Sequence, residues 1–121
     1  MKKKILIIED DDAIGQALAM SLEFEDYEAR LVLKAKTSLK IISTFKPNLI
    51  LLDLLLSGTD GRDVAQRIKA DNNSKKIPII LMSAHPTADK VAQELGVEGF
   101  IAKPFDTDDL LKKIKTILHS K

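Results

Sequence analysis

Short apolar runs alternate with amphipathic stretches five times along the chain, and this alternation most restricts what it can fold into. Lys4 to Ile8 has the continuous apolar character of a strand buried on both faces. Helical spacing follows, with Ile14, Ala17, Leu18, Ser21 and Leu22 on one stripe and Asp11 or Asp12 as the cap. Tyr27, Ala29, Leu31 and Leu33 alternate with Glu28 and Arg30, which predicts a more exposed, outer strand. Thr37 or Ser38 is placed to cap a second helix carrying Leu39, Ile42 and Phe45, stopped by Pro47.

The same pattern continues. Asn48 to Asp53 reads as a buried strand, and Ser57-Gly58-Thr59-Asp60-Gly61 as a loop. Val64, Ala65 and Ile68 mark a third helix that runs out in Asp71-Asn72-Asn73-Ser74. Ile77 to Met82 is a fourth strand with Pro78 near its start, where a missing N–H costs least. A fourth helix is expected from about Pro86 to Leu95, with Gly96 as its C-terminal cap. Gly99 to Ala102 is a fifth strand. Leu110, Leu111, Ile114, Ile117 and Leu118 stripe the last helix, capped by Asp106. Five strand–helix units predict an α/β fold with a doubly wound five-stranded parallel sheet and right-handed crossovers. At 121 residues, without repeat or linker, residues 1–121 are expected to form one domain.

Charge and composition exclude several functions. With 19 basic and 18 acidic side chains, the net charge of +1 gives no general attraction to nucleic acid or an anionic membrane. The absence of cysteine excludes thiol catalysis and thiolate metal sites, and fits the cytoplasm. Met1-Lys2-Lys3-Lys4 before four apolar residues is too short for a signal sequence, and Leu49 to Leu56 is too short to span a bilayer.

In an open parallel sheet, ligands bind beyond the carboxyl ends of the strands, where strand order reverses. Those ends are Glu9-Asp10, Asp53, Ser83-Ala84 and Lys103-Pro104, so three carboxylates, a hydroxyl and an ammonium are expected on one rim. Clustered carboxylates repel one another, and each raises the others' pKa unless a cation intervenes. A hard divalent ion such as Mg²⁺ relieves this while accepting phosphate oxygens. A carboxylate can also act as nucleophile toward phosphorus, a reaction that needs positioning and charge neutralisation above all. Taken singly, each residue has a plainer reading: Asp11 and Asp12 as helix caps, Lys103 as a solvated lysine, Ser83 bonding local backbone, and Phe100 as core. His85 and His119 read as surface residues. The convergence of the strand ends favours chemistry for Glu9, Asp10, Asp53 and Lys103, and for Ser83 as well.

The stretches Ile5-Leu6-Ile7-Ile8-Glu9-Asp10-Asp11, Leu51-Leu52-Asp53-Leu54-Leu55-Leu56, Met82-Ser83-Ala84 and Ala102-Lys103-Pro104-Phe105 resemble the response-regulator receiver family, in order and approximate spacing, across the whole chain. The resemblance implies a flavodoxin-like (βα)5 fold of strand order 2-1-3-4-5. It implies Asp53 as phosphoacceptor, Mg²⁺ held by Asp10 directly and Glu9 through water, and a backbone carbonyl from Leu55. Ser83 would bond the phosphoryl oxygen as the switch hydroxyl, Lys103 would pair with it, and Phe100 would be the aromatic that moves inward. The Lys103-Pro104 bond would be cis. Expected partners are a histidine kinase or phosphotransfer protein, and a downstream protein on the fourth helix, fifth strand and fifth helix, including Lys90, Glu94 and Phe100. No direct nucleic-acid or membrane binding is expected.

Two positions depart from the family's pattern: Ser57 stands where proline is common, and apolar Leu55 with His85 flanks the site. Leu55 also argues against an aspartate-nucleophile phosphatase of the haloacid-dehalogenase type, which needs a second aspartate there. A nucleotide or flavin binder lacks its G-x-G-x-x-G or Walker loop. The protein is therefore expected to be a signalling module rather than an enzyme, apart from autophosphatase activity. Val97-Glu98-Gly99-Phe100 lacks the paired acids often found in winged-helix regulators. With the chain ending at the fifth helix, the expectation is a stand-alone regulator or a receiver of a longer regulator or hybrid kinase, and the missing acids favour the stand-alone or hybrid-kinase receiver.

Overall fold

The computed structural model describes residues 2–56 and 59–119. Five parallel strands, β1 (Lys4–Ile8), β2 (Glu28–Val32), β3 (Leu49–Asp53), β4 (Ile79–Ser83) and β5 (Gly99–Ala102), form one sheet of order β2-β1-β3-β4-β5. Helices α1 (Asp12–Phe24), α2 (Ser38–Phe45), α3 (Gly61–Ala70), α4 (Ala88–Leu95) and α5 (Thr107–Leu118) connect and follow them. The order reverses between β1 and β3, which are register partners from Ile5 with Leu49 to Ile8 with Leu52.

Alternation along the strands divides the apolar residues between two cores. Leu6, Ile8, Ile50, Leu52, Ile79 and Leu81 pack with α2, α3 and α4 on one face. Ile5, Ile7, Leu49, Leu51, Ile80 and Met82 pack with α1 and α5 on the other. Every residue of β3 and β4 is buried, which explains why these strands read as unbroken apolar runs. β2 lies at the edge and keeps the expected alternation of exposed and covered residues. Among the described residues no helix is long and apolar enough to cross a membrane.

Several boundaries differ from expectation. α1 buries Gly15, Leu18, Ala19 and Leu22, whereas Ile14 is 44 % exposed and Ala17 lies outside. The reason is Gly15: a Cβ there would collide with Leu31, so its absence lets the helix settle on β2 and rotates the buried face. Asp11 does cap α1, accepting the Ile14 N–H at 3.1 Å. Thr37 and Ser38 do not cap α2. Thr37 ends a 3-10 turn over Ala35–Thr37 and Ser38 is the first residue of α2, and their hydroxyls donate backwards to the carbonyls of Lys34 and Ala35. Asp106 occupies the cap position of α5 without a side-chain hydrogen bond to the helix.

The fourth strand starts at Ile79, after Pro78, and the Ile79 N–H donates to the Glu98 carboxylate at 2.9 Å. The fourth helix starts at Ala88, two residues later than expected, and ends on Gly96 at φ 71° as foreseen. The expected loop before α3 contains a short antiparallel ladder of Leu55–Leu56 with Thr59–Asp60, and the Ser57 departure lies outside the described residues.

Candidate functional site

β1, β3 and β5 all end at the same edge of the sheet, and their last residues or the ones just beyond carry the polar groups. Oxygens of Glu9, Asp10 and Asp53 lie within 4.8 Å of one another. Glu9 is 1 % exposed and Asp53 5 %, while Asp10 is half-buried. The Lys103 ammonium stands 2.8 Å from Asp53 Oδ2 and 3.2 Å from Glu9 Oε1. The Lys103-Pro104 peptide is cis, and the Lys103 N–H donates to the Ser83 carbonyl at 2.9 Å.

One ammonium cannot satisfy three carboxylates, and the titration behaviour reflects this. Burial pushes the Glu9 carboxyl above its ordinary value; the Asp11 N–H on Oε2, at 3.1 Å, pulls the other way, and the Asp53 charge adds to the rise. Burial would lower the Lys103 ammonium, but the hydrogen bond and charge of Asp53, with those of Glu9, outweigh it and raise the group. The lysine is over-supplied with negative partners, and Glu9 is under-supplied with positive ones. A divalent cation with oxygen preference fits this donor set.

Backbone groups finish the pocket. The Leu55 N–H donates to Asp53 Oδ1 at 3.0 Å, placing the Leu55 peptide at the carboxylate while its side chain is 60 % exposed. Gly61 packs behind this turn: its N–H donates to the Leu54 carbonyl at 2.8 Å, and an added Cβ would lie 2.6 Å from the Asp53 carbonyl oxygen. The Asp11 N–H and Gly61 were missed as site-shaping groups in the sequence reading. An acid-glycine pair opening a helix is the one local signal for Gly61.

Ser83 is 1 % exposed and accepts the His85 N–H at 3.0 Å, so its hydroxyl hydrogen remains the donor. Phe100 is not in the carboxylate cluster. It pairs in register with Leu81 and packs, half-buried, against the core beneath α2, α3 and α4.

Comparison with known proteins identifies the family and the fold. The sequence profile of the response regulator receiver domain matches residues 5–115. The phosphate regulon transcriptional regulatory protein PhoB of Pseudomonas aeruginosa is 36 % identical over 119 residues, covering 97 % of this chain and 52 % of that protein. The chain thus spans about half the length of such curated relatives. A two-component response regulator from Clostridium difficile superposes with a TM-score of 0.89 at 28 % identity, covering 98 % of each chain. The receiver domain of a sensor histidine kinase from Pseudomonas aeruginosa, which has a magnesium ion coordinated in its active-site cleft, shares the fold. Its TM-score is 0.89 at 23 % identity, over 99 % of this chain and 100 % of that one.

Proposed function

The chain belongs to the response regulator receiver domain family, and from that premise we propose that Asp53 is its phosphoryl acceptor. Receiver domains are the phosphoacceptors of two-component signalling, and histidine kinases or phosphotransfer proteins are their partners. In the reaction assigned to Asp53, the P–N bond of a phosphohistidine breaks as a P–O bond forms to the aspartate, giving an acyl phosphate. The observation that carries this reading is the nearly buried Asp53 carboxylate, with an ammonium at 2.8 Å and two more carboxylates within 4.8 Å.

The donor set suits Mg²⁺: Asp10, Asp53 and the Leu55 backbone carbonyl would hold it directly, and Glu9 through water. When bound, the ion neutralises the carboxylates and the incoming phosphoryl oxygens. Lys103 neutralises the same region from the opposite side and then pairs with a phosphoryl oxygen. The Ser83 hydroxyl donates to another, and Phe100 responds by repacking against its core. Ligand-biased exchange between two such packings is a sufficient link from Asp53 to the surface of α4, β5 and α5, where Lys90 and Glu94 are exposed. A protein partner on that surface, residues 1–121 as one receiver unit and a cytoplasmic setting belong to the same reading. So does slow self-dephosphorylation, because Leu55 offers no polar group to orient water.

Incubation with acetyl phosphate and Mg²⁺, followed by intact-mass measurement, tests the assignment. Wild type should gain one phosphoryl group and Asp53→Asn none; equal gain in both would remove Asp53 from its role.

A further inference from the structure

The net charge of +1 averages an uneven distribution. Residues 29–52 carry five cations, Arg30, Lys34, Lys36, Lys40 and Lys46, and no acid, in a chain with 18 acidic side chains. This stretch builds the outer surface of α2. Ser38, Ile42 and Phe45 turn inward, so Lys36 and Lys40, about one helical turn apart, share the outward pole. Lys46 closes the helix with its side chain exposed. Arg67 of α3 lines the same cleft as Lys36, and Asp63 is the one acid lining it. Lys2, Arg62, Lys69, Lys103 and Lys115 form ion pairs; Lys34, Lys36, Lys40, Lys46 and Arg67 form none among the described residues.

We propose that this face of α2, with Arg67, binds the phosphate backbone of duplex nucleic acid. Unpaired cations call for an anionic partner, and the other side chains select which one. From Lys34 to Lys46 the exposed residues are lysine, threonine and serine alone. Protein interfaces centre on aromatic residues, methionine and arginine and are poor in lysine, so an acidic protein finds no anchor here. Single strands need aromatic side chains to stack on, and a membrane surface needs large apolar ones to insert. Phosphates need only positioned charge, which lysine supplies as a point donor. Without asparagine or glutamine on the strip to read base edges, the contact is independent of sequence.

Charge sets the strength. Neutralising one phosphate with each of Lys34, Lys36, Lys40, Lys46 and Arg67 gives a slope of about −4.5 in log K against log salt. Sequence-independent contacts of this kind have dissociation constants of about 10⁻⁴–10⁻⁶ M. The binding is therefore weak and lost at high salt, and the near-zero net charge conceals it because the acids lie elsewhere. α2 packs on the sheet face opposite α1 and α5. The contact requires nothing of Asp53, so failure of either reading leaves the other standing.

Fluorescence anisotropy of a labelled duplex of about 20 base pairs, roughly two helical turns, tests this. The 121-residue chain should bind it at low salt, about 50 mM, and doubling the salt should weaken binding about twentyfold. Lys36→Gln with Lys40→Gln should lower affinity about tenfold or more and reduce the salt slope by about two, with a melting temperature near wild type. Lys112→Gln with Lys113→Gln removes the same charge from the exposed side of α5 and should bind as wild type does. Absence of duplex binding at low salt, equal losses in the two double variants, or an unchanged slope in the first would each overturn the proposal. So would tighter binding of the single strand alone, of polyglutamate or of phosphatidylserine vesicles, since the face would then serve stacking, a protein or a membrane.

Discussion

Lys103 and Asp53, fifty residues apart in sequence, meet at 2.8 Å at the ends of strands that are not neighbours, and the same ammonium reaches Glu9 at 3.2 Å. β4 lies between β3 and β5, so the lysine spans the end of Ser83's strand to reach the acids. Its charge is what makes three converging carboxylates tolerable in the metal-free protein.

Opposite substitutions around this centre should therefore have opposite signs. Lys103→Met keeps the stem and removes the charge, leaving nearly buried carboxylates unpaired. The expected loss is about 1–3 kcal/mol, below the cost for a fully buried pair because Lys103 keeps some solvent contact. Asp10→Asn removes repulsion and should gain about 1 kcal/mol. Thermal melts without divalent ions should show a fall of roughly 4 °C or more for the first and a rise of a few degrees for the second. A lower melting temperature in Asp10→Asn would mean that the acids are not crowded.

Glu9 predicts a pH dependence. Its folded-state carboxyl titrates above the ordinary 4.5, so the folded chain holds the proton more tightly than the unfolded chain. The stability linked to that proton is complete below 4.5 and is lost as pH rises through the higher folded value. Metal-free protein should thus gain stability from this group on acidification from neutral toward 4.5. Glu9→Gln should remove that component and raise the neutral melting temperature. Melts across this range, in wild type and variant without metal, provide the check; parallel curves would show that Glu9 is not the group responsible.

How far the sequence was legible depended on burial. β1, β3 and β4 are covered on both faces, so their apolar runs were unambiguous, and so were the acids that end or follow β1 and β3. α1 was harder, because apolar residues surround it: Ala13, Ile14, Ala17, Met20 and Phe24 compete with the true core face. Only the fit of Gly15 beneath Leu31 decides which side turns inward. The engagement of both Glu9 oxygens, by the Asp11 N–H and by Lys103, is likewise a tertiary outcome that no spacing rule encodes.

The Leu55 side chain, 60 % exposed beside Asp53, presents no hydrogen-bonding group to an attacking water. Leu55→Asn leaves the backbone N–H to Asp53 in place and adds one such group. A hydrogen bond worth about 1.4 kcal/mol in the hydrolytic transition state should shorten the phosphorylated lifetime about tenfold. Following loss of the phosphoryl mass after removal of acetyl phosphate measures it. A wild type that decays faster than the variant would reverse the assignment.

Two helix ends isolate backbone conformation. Gly96 adopts φ 71°, and a Cβ there would touch nothing within 4 Å, so Gly96→Ala should lose about 1 kcal/mol from conformation alone. Lys46, at φ 54°, closes α2 in the same left-handed region with an exposed side chain, so Lys46→Gly should gain about 0.5–1 kcal/mol. Urea unfolding of both variants is the measurement, and neither should change Mg²⁺ affinity.

Gly61 should behave differently from Gly96. An added Cβ would lie 2.6 Å from the Asp53 carbonyl oxygen, from Leu54 Cα and from the Leu54 carbonyl oxygen, all of them backbone atoms that cannot swing aside as a side chain tip would. Gly61→Ala must therefore move either the start of α3 or the turn that holds Asp53 and the Leu55 peptide. Overpacking of this kind costs about 1–3 kcal/mol. A shift in the turn should also weaken Mg²⁺ uptake, by about tenfold if it costs the site 1.4 kcal/mol. Calorimetric titration with Mg²⁺ beside a thermal melt separates the two effects. Gly96→Ala should lose stability with unchanged Mg²⁺ affinity, while Gly61→Ala should lose both. Unchanged Mg²⁺ affinity in Gly61→Ala would show that α3 yields and the turn at Asp53 does not.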